Sequence, residues 1–446
     1  MNLHILLIFF LHFQVFVFLG IEVNAQVPSP GKLPTKPLIL KYATLHLGNG
    51  QILENGCLLM DKGKILGIET AANAQKLQNQ VPGAEVLNLS GKHVYPGFIL
   101  PNTTLGLNEV DAVRSTQDNT EVGNENPNVN SLSAYNTDSD LIPTIRSNGI
   151  LTAQITPRGR RLAGFSSMVQ LDAWNWEDAV LKGRDGLHLY WPSKYKVAGW
   201  WAEPEMASTE ANAEFERDLN ELDKSFFEAR TYAHQKDKIL NTRVEAIQFC
   251  LSGKSKLFIH VDYPADIVQA ILFAGKHNLS NLVLVTGPKV ASVLPLIKEK
   301  NVHLVLNRLH SLPQRPEDGL YSNIEVCKKL KQENILFCLD YEGDMEIMGS
   351  RNLGFLAGSA ARLGLGKEDA LSLITLNAAK VLGIEKTTGS LEVGKDATLF
   401  VSEGDALDMK TQNLSQAWIQ GRPISLESKQ TVLYEKFKKM LEKGRY

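Results

Sequence analysis

Cysteine is scarce in this chain: Cys57, Cys250, Cys327 and Cys338 are the only four in 446 residues. None stands in a C-x-x-C pair, which excludes a dithiol redox motif or a zinc ribbon. All four sit in or beside apolar segments and read as buried small hydrophobes. A single disulfide in an oxidising compartment stays open, with no pairing to be read from the spacing. Excess charge is missing too. The 47 basic and 49 acidic side chains leave a net charge of −2, with no general attraction to nucleic acid or to an anionic membrane. Long polar runs are few, which argues for a packed globular protein rather than disorder. After Ala25 no apolar run approaches the ~20 residues that span a bilayer.

The N-terminus is the exception. Leu3 to Leu19 is mostly apolar and ends in the small-x-small sequence Val23-Asn24-Ala25. The pattern is that of a signal peptide (residues 1–25), with cleavage after Ala25 and export to a periplasm or the medium. No Lys or Arg precedes the run, and an uncleaved anchor is the alternative. A Pro-rich leader, residues 26–37, follows.

Residues 38–92 read as short strands joined by glycine turns, with a hairpin through Asp61-Lys62-Gly63. From residue 93 the pattern changes. Val94 to Ile99 is a buried strand running into the polar loop at Asn102. The stretch Asp111 to Asp140 is rich in Asn, Asp and Ser, and is either an ordered excursion over the next domain or mobile. Glu203 to Lys236 reads as a charged amphipathic helix. Then apolar strands (257–261, 282–285, 302–306, 335–339) alternate with amphipathic helices (264–277, 289–300, 323–333, 352–363). Such alternation signals a parallel sheet covered on both faces. The span 93–383 suits a (β/α)8 TIM-like barrel, which takes about 250 residues. A helix over 367–382 leads back to short strands in 384–428. These complete the first strands, giving a discontinuous small β-sandwich domain built from N- and C-terminal strands. A final helix within 429–446 carries Leu433, Phe437 and Leu441 at helical spacing and is expected to pack on something.

Five segments carry a family resemblance: GNGQILENGCLLMDKGKILGI, YPGFI, IHVDYPADIVQAI, LDYEGD and ITLNAAKVLGIEKTTGSLEVGKDATLFV. Through them the chain resembles the amidohydrolase superfamily, in particular its imidazolonepropionase-like members. The resemblance implies a hydrolase acting on C–N bonds, with divalent ions at the C-terminal strand ends. Family ligands are two His after strand one, one His after strand five, one after strand six and an Asp after strand eight. A modified Lys or Glu from strand four often bridges them. Carried over, the strand-one pair falls on Asn102 and Thr104, the strand-six His on Thr286, the strand-five His on His260 and the Asp on Asp340. Thr398 stands where the family usually has Asp.

Only His260 and Asp340 remain as ligands, too few for a reactive metal with an open position. The expectation is therefore no cofactor or, if any, one divalent ion (Zn²⁺, Fe²⁺ or Mn²⁺). His260 is a surviving ligand, a general base, or a polar residue satisfied by a neighbour. Asp340 either pairs with His260 as an acid–base dyad or is solvated beside Asp262, Glu342 and Asp344. Asn102, Thr104 and Thr286 are candidate ligand-binding groups. So is the basic loop of Arg158, Arg160 and Arg161, with Arg161 the named candidate for an anion. Trp174 represents an aromatic region (Trp174, Trp176, Tyr190, Trp191, Trp200, Trp201) whose tryptophans either line a groove or are core. His46 and His303 read as packing residues. Two readings stand: a non-catalytic binding protein or silent partner of an active relative, or an active hydrolase remodelled around His260 and Asp340. A small molecule or peptide is the expected ligand, and neither nucleic acid nor, after cleavage, a membrane is an expected partner.

Overall fold

A computed structural model describes residues 29–198, 208–313, 318–342 and 346–443. The segment expected to be a signal peptide, Trp200, Trp201 and Asp344 lie outside these.

Leu38–His46 is the centre of the smaller sheet. It pairs with Ile52–Asp61 on one side and with His93–Pro96 and Glu85–Asn88 on the other. His93–Pro96 in turn pairs with the C-terminal strand Leu399–Ser402, followed outward by Leu414–Ile419 and Arg422–Pro423. The sheet is therefore completed by strands some three hundred residues away, as the pattern of short strands at both ends required. The hairpin from Ile52–Asp61 to Lys64–Thr70 turns on Lys62 (φ 47°) and Gly63 (φ 84°). Positive φ at both central residues matches the right-handed twist of the flanking strands. Side-chain alternation then divides the faces. Leu40, Leu58, Val94, Leu399 and Trp418 share one apolar cluster, while Ile39, Cys57 and Leu59 pack under the helix Ala74–Gln80.

The barrel sheet also has eight strands, in the order Phe98–Thr103, Ile150–Ile155, Leu162–Gln170, Val180–Tyr190, Lys256–His260, Leu282–Thr286, His303–Leu306 and Phe337–Leu339. Seven run parallel. The third is antiparallel to both neighbours, where a regular alternating barrel was expected. The reason is connection length. Only residues 156–161 precede it and 171–179 follow it, and a parallel crossover needs a dozen or more residues. The seam between first and eighth strands carries no ladder; there Ile99 N–H donates to the Ile374 carbonyl at 2.9 Å. Val283, Val285, Val305 and Cys338 point inward, where the helix Leu376–Leu382 meets them, and Leu282, Leu284 and Leu304 face the outer helices.

The polar stretch before the second strand is the ordered alternative. Arg158 N–H donates to the Asn119 carbonyl (2.6 Å), and Phe165 N–H to the Val129 carbonyl (2.8 Å). The expected helix at 367–382 is two helices, Lys367–Leu373 and Leu376–Leu382. They break at Thr375 (φ −132°, ψ −99°), whose hydroxyl returns to the Leu371 carbonyl at 2.7 Å. The charged helix is shorter than expected, Phe215–Ala233, because Ser208–Ala211 forms a hairpin strand with Tyr195–Ala198. His46 is more than a packing residue. Its ring stacks on Tyr95 at 4.1 Å, Nδ1 lies 2.6 Å from Glu368 Oε1, and Nε2 lies 3.0 Å from His93 Nδ1. It thereby ties the small sheet to a barrel helix. All four cysteines are buried and free.

The last helix, Lys429–Glu442, overturns one expectation. No residue in it is buried, and Leu433, Phe437 and Leu441 are 42%, 52% and 60% exposed. Helical spacing made an apolar stripe, but among the described residues nothing covers it.

Candidate functional site

Asn102, next to last in the first barrel strand, has φ 48°, a left-handed backbone that asparagine tolerates better than most residues. This turn aims its amide across the open seam. Nδ2 donates to Asp340 Oδ2 (2.8 Å) and Glu342 Oε2 (2.9 Å). Oδ1 accepts from Arg158 Nη1 (2.9 Å), the Asn102 carbonyl accepts from Arg158 Nη2 (2.7 Å), and its N–H donates to Gln154 Oε1 (3.1 Å). Every polar atom of Asn102 is thus engaged. Arg158 Nη2 also pairs with Glu346 Oε2 at 2.8 Å, while Thr104 donates from N to Glu346 Oε1 at 3.0 Å. Burial alone would push the Arg158 guanidinium down; Tyr190, Glu346 and Glu342 together raise it above its ordinary value. The arginine is a fixed cation among carboxylates.

Asp340 lies in this network but forms no dyad with His260. Its Oδ1 accepts from Tyr341 N–H at 2.6 Å and its Oδ2 from Asn102. Burial, with the Glu342 charge beside it, raises its carboxyl well above the usual range. His260 instead stacks on Tyr190 (4.0 Å between ring centres) and meets His188: Nε2 to His188 Nδ1 is 2.9 Å. The chain continues inward from His188 Nε2 to Ser166 Oγ (2.9 Å) and from Ser166 Oγ to Asp185 Oδ1 (2.7 Å), while Gln154 Nε2 donates to Asp185 Oδ2 (2.7 Å).

This chain has a direction. Asp185 accepts at both carboxylate oxygens, from Ser166 Oγ–H and from Gln154 Nε2–H, while burial raises its carboxyl to about 6. Ser166 must then donate to it and accept from His188 Nε2–H. His188 Nδ1 is left bare and accepts from His260 Nε2–H. The remaining nitrogen, His260 Nδ1, is a buried acceptor with no partner among the described residues. Protonating it would create a cation in a buried site facing Arg158, and those two effects hold His260 well below its ordinary value.

A stability consequence follows from that depression. The unfolded chain protonates His260 near pH ~6.5 and the folded chain does not, so this contribution is complete above that pH and is lost as pH falls. The difference in unfolding free energy between the native protein and a His260→Gln variant should therefore shrink below pH ~6.5. The limiting rate is about 1.4 kcal/mol per pH unit, read by urea denaturation between pH 8 and pH 5. A difference that does not change with pH would show that His260 titrates normally.

Other expected site residues lie elsewhere. Thr286 falls on the outward half of its strand with Leu282 and Leu284, because Val283 and Val285 take the interior; its buried hydroxyl has no partner among the described residues. Gly287 fills the inward place and donates its N–H to Asp262 Oδ1 at 2.9 Å. Arg161 turns to protein carboxylates rather than to the barrel mouth. Its guanidinium is held by Asp218 (2.7 Å), Glu221 (2.6 Å) and Glu125 (3.4 Å). Arg158, three residues earlier, is the arginine of the mouth. Trp174 is 64% exposed, whereas Trp191 is buried edge-on against Phe273. The described tryptophans form no common groove. Sequence reading missed Gln154, Ser166, Asp185 and His188, and placed Tyr190 only in the aromatic region. The only local signal was the alternation in Leu187-His188-Leu189-Tyr190, which puts both polar rings on the interior face.

This donor set does not fit a divalent ion. Among the described residues no group of three or more His, Cys, Asp or Glu side chains is arranged to hold one. His260 Nε2 and both Asp340 oxygens are already engaged, and a guanidinium occupies the carboxylate cluster, where a second cation would be repelled.

Comparison with known proteins agrees with the architecture. The model of the Amidohydrolase family matches residues 245–441. An imidazolonepropionase from Fusobacterium nucleatum is 22% identical over 396 residues, covering 82% of this chain and 89% of that one. An amidohydrolase from Thermotoga maritima MSB8 superposes with a TM-score of 0.74 at 23% identity, covering 87% of this chain and 99% of its own. An adenosine deaminase from Xanthomonas campestris with bound zinc gives 0.51 at 13% identity, covering 94% of this chain and 99% of its own.

Proposed function

The chain belongs to the amidohydrolase superfamily, and on that premise we propose that it is an exported member whose barrel mouth binds a small ligand without a resident metal and without turnover. One observation carries this reading. Asn102 and Arg158 bind each other and three carboxylates, Asp340, Glu342 and Glu346, at the strand ends. A fixed guanidinium supplies the charge balance that a divalent ion would otherwise supply, so the carboxylates have no need of a metal. The apolar segment Leu3 to Leu19, with its small-x-small end, supports export.

The ligand that suits the site is a hydrogen-bond donor. Among the described residues, His260 Nδ1 and Asn307 Oδ1 are buried acceptors without partners. Each would gain from an amide N–H or a hydroxyl, because an unmet buried acceptor costs about 1–3 kcal/mol. The bare Nδ1 also favours a second reading, a metal-free hydrolase with His260 as general base.

Metal analysis of the purified protein, followed by titration with Zn²⁺ and with imidazolonepropionate, tests both readings. The expected result is substoichiometric metal, no thermal shift with Zn²⁺ and no hydrolysis. A stoichiometric, tightly held ion would overturn the metal-free mouth. Hydrolysis that persists in chelator and is abolished by His260→Gln would establish the second reading instead.

A further inference from the structure

The C-terminal helix Lys429–Glu442 leaves the body of the protein almost at once. A capping box between Ser428 and Thr431 starts it. Thr144 Oγ1 donates to Gln430 Oε1 at 2.7 Å, and Lys429 Nζ reaches Asp140 at 3.3 Å. Beyond these contacts its residues are exposed, apart from Met440, which is half-buried. Leu433, Phe437, Met440 and Leu441 recur at i, i+4, i+7 and i+8, which aligns them in one stripe. An exposed apolar stripe on a protein of this size marks a contact surface.

The charges beside the stripe say what would cover it. Lys429, Lys436 and Lys443 recur every two turns along one edge, while Glu435 and Glu442 lie on the opposite face. From Lys429 to Lys443 there are five lysines and two glutamates, in a chain whose net charge is −2. A second copy is a poor match. Antiparallel pairing of two such helices would bring their lysine rows together. Parallel pairing would set lysines against Tyr434 and Leu441, with no carboxylate at either flank. A surface that is apolar in depth and anionic at its boundary satisfies both features.

We propose that this helix is an interfacial anchor for an anionic lipid surface, lying flat with the Leu433–Phe437–Met440–Leu441 stripe in the acyl boundary and its lysines at the headgroups. The contact is peripheral: among the described residues no helix is long and apolar enough to cross a membrane.

An environment-sensitive dye on a Leu441→Cys variant of the full chain tests it locally, without interference from the apolar N-terminal segment. The native cysteines are buried, so labelling is selective. Emission is expected to shift to shorter wavelength with vesicles of phosphatidylglycerol in phosphatidylcholine, not with phosphatidylcholine alone. High salt should reverse the shift, and adding Lys436→Glu and Lys443→Glu should weaken it at least ~10-fold. No shift with anionic vesicles would overturn the proposal. So would equal shifts with both vesicle types, or a lipid-free shift that grows with protein concentration and reveals a second copy on the stripe.

Discussion

Replacing Arg158 by leucine is expected to cost about 2–3 kcal/mol of folding stability, because it removes one partner of a half-buried, charge-assisted hydrogen-bonded pair. The guanidinium is the central cation of the mouth. It donates to both oxygens of Asn102 and pairs with Glu346 at 2.8 Å. Without it Glu346 loses its counter-ion, and the Asn102 amide loses the donors that hold it toward Asp340. Leucine fills part of the volume but answers none of these groups. Arg158→Lys should recover only part of the loss, since one ammonium cannot span two Asn102 acceptors and a carboxylate as a planar fork does. Urea denaturation of the three proteins measures this. A leucine variant as stable as the native protein would mean that the carboxylates are adequately hydrated, and the argument for a guanidinium in place of a metal would fail with it.

The second large effect is expected at Asp172, away from the mouth. Its Oδ1 accepts from Arg146 Nη1 at 2.6 Å, with the two side chains only 3% and 2% exposed. Its Oδ2 accepts from Gly31 N–H at 2.8 Å, and its carbonyl accepts from Arg422 Nη2 at 3.1 Å. One residue thus joins the leader, the barrel and the C-terminal strands. Burial pulls Arg146 below its ordinary value, and the Asp172 charge opposes that. Asp172→Asn keeps the shape and removes the charge, leaving a buried guanidinium alone; about 3–5 kcal/mol of destabilisation is expected. The double variant Arg146→Met/Asp172→Leu should recover much of it, because no buried charge is then left unpaired. The double-mutant cycle reads the coupling directly. Single and double variants of equal stability would show that the pair is not what the site loses.

How far the molecule could be read beforehand depended on the range of the interactions. The strands from Lys256–His260 to Phe337–Leu339 were legible because each is a short apolar run followed by an amphipathic helix. The hairpin at Lys62-Gly63 was legible from turn chemistry. The third barrel strand was harder, since Leu162–Gln170 is buried on both faces and carries no alternation to mark it. The same gap hid the polar chain from His260 to Asp185. Its members lie on three different strands, far apart in the chain, and nothing local marks them as partners.

The sequence by itself determined the two-part architecture, the small sheet shared between the chain ends, and the absence of imidazole at positions 102, 104 and 286. These are matters of local period and residue identity, which need no partner to be recognised. Tertiary structure alone decided that Arg158 rather than Arg161 enters the mouth, and that His260 answers to His188 rather than Asp340. It alone decided that Thr286 faces outward and that the last helix stands uncovered. Each of those outcomes turns on which face a side chain takes and on what lies opposite it, and the residue opposite is often a hundred or more positions away in the chain.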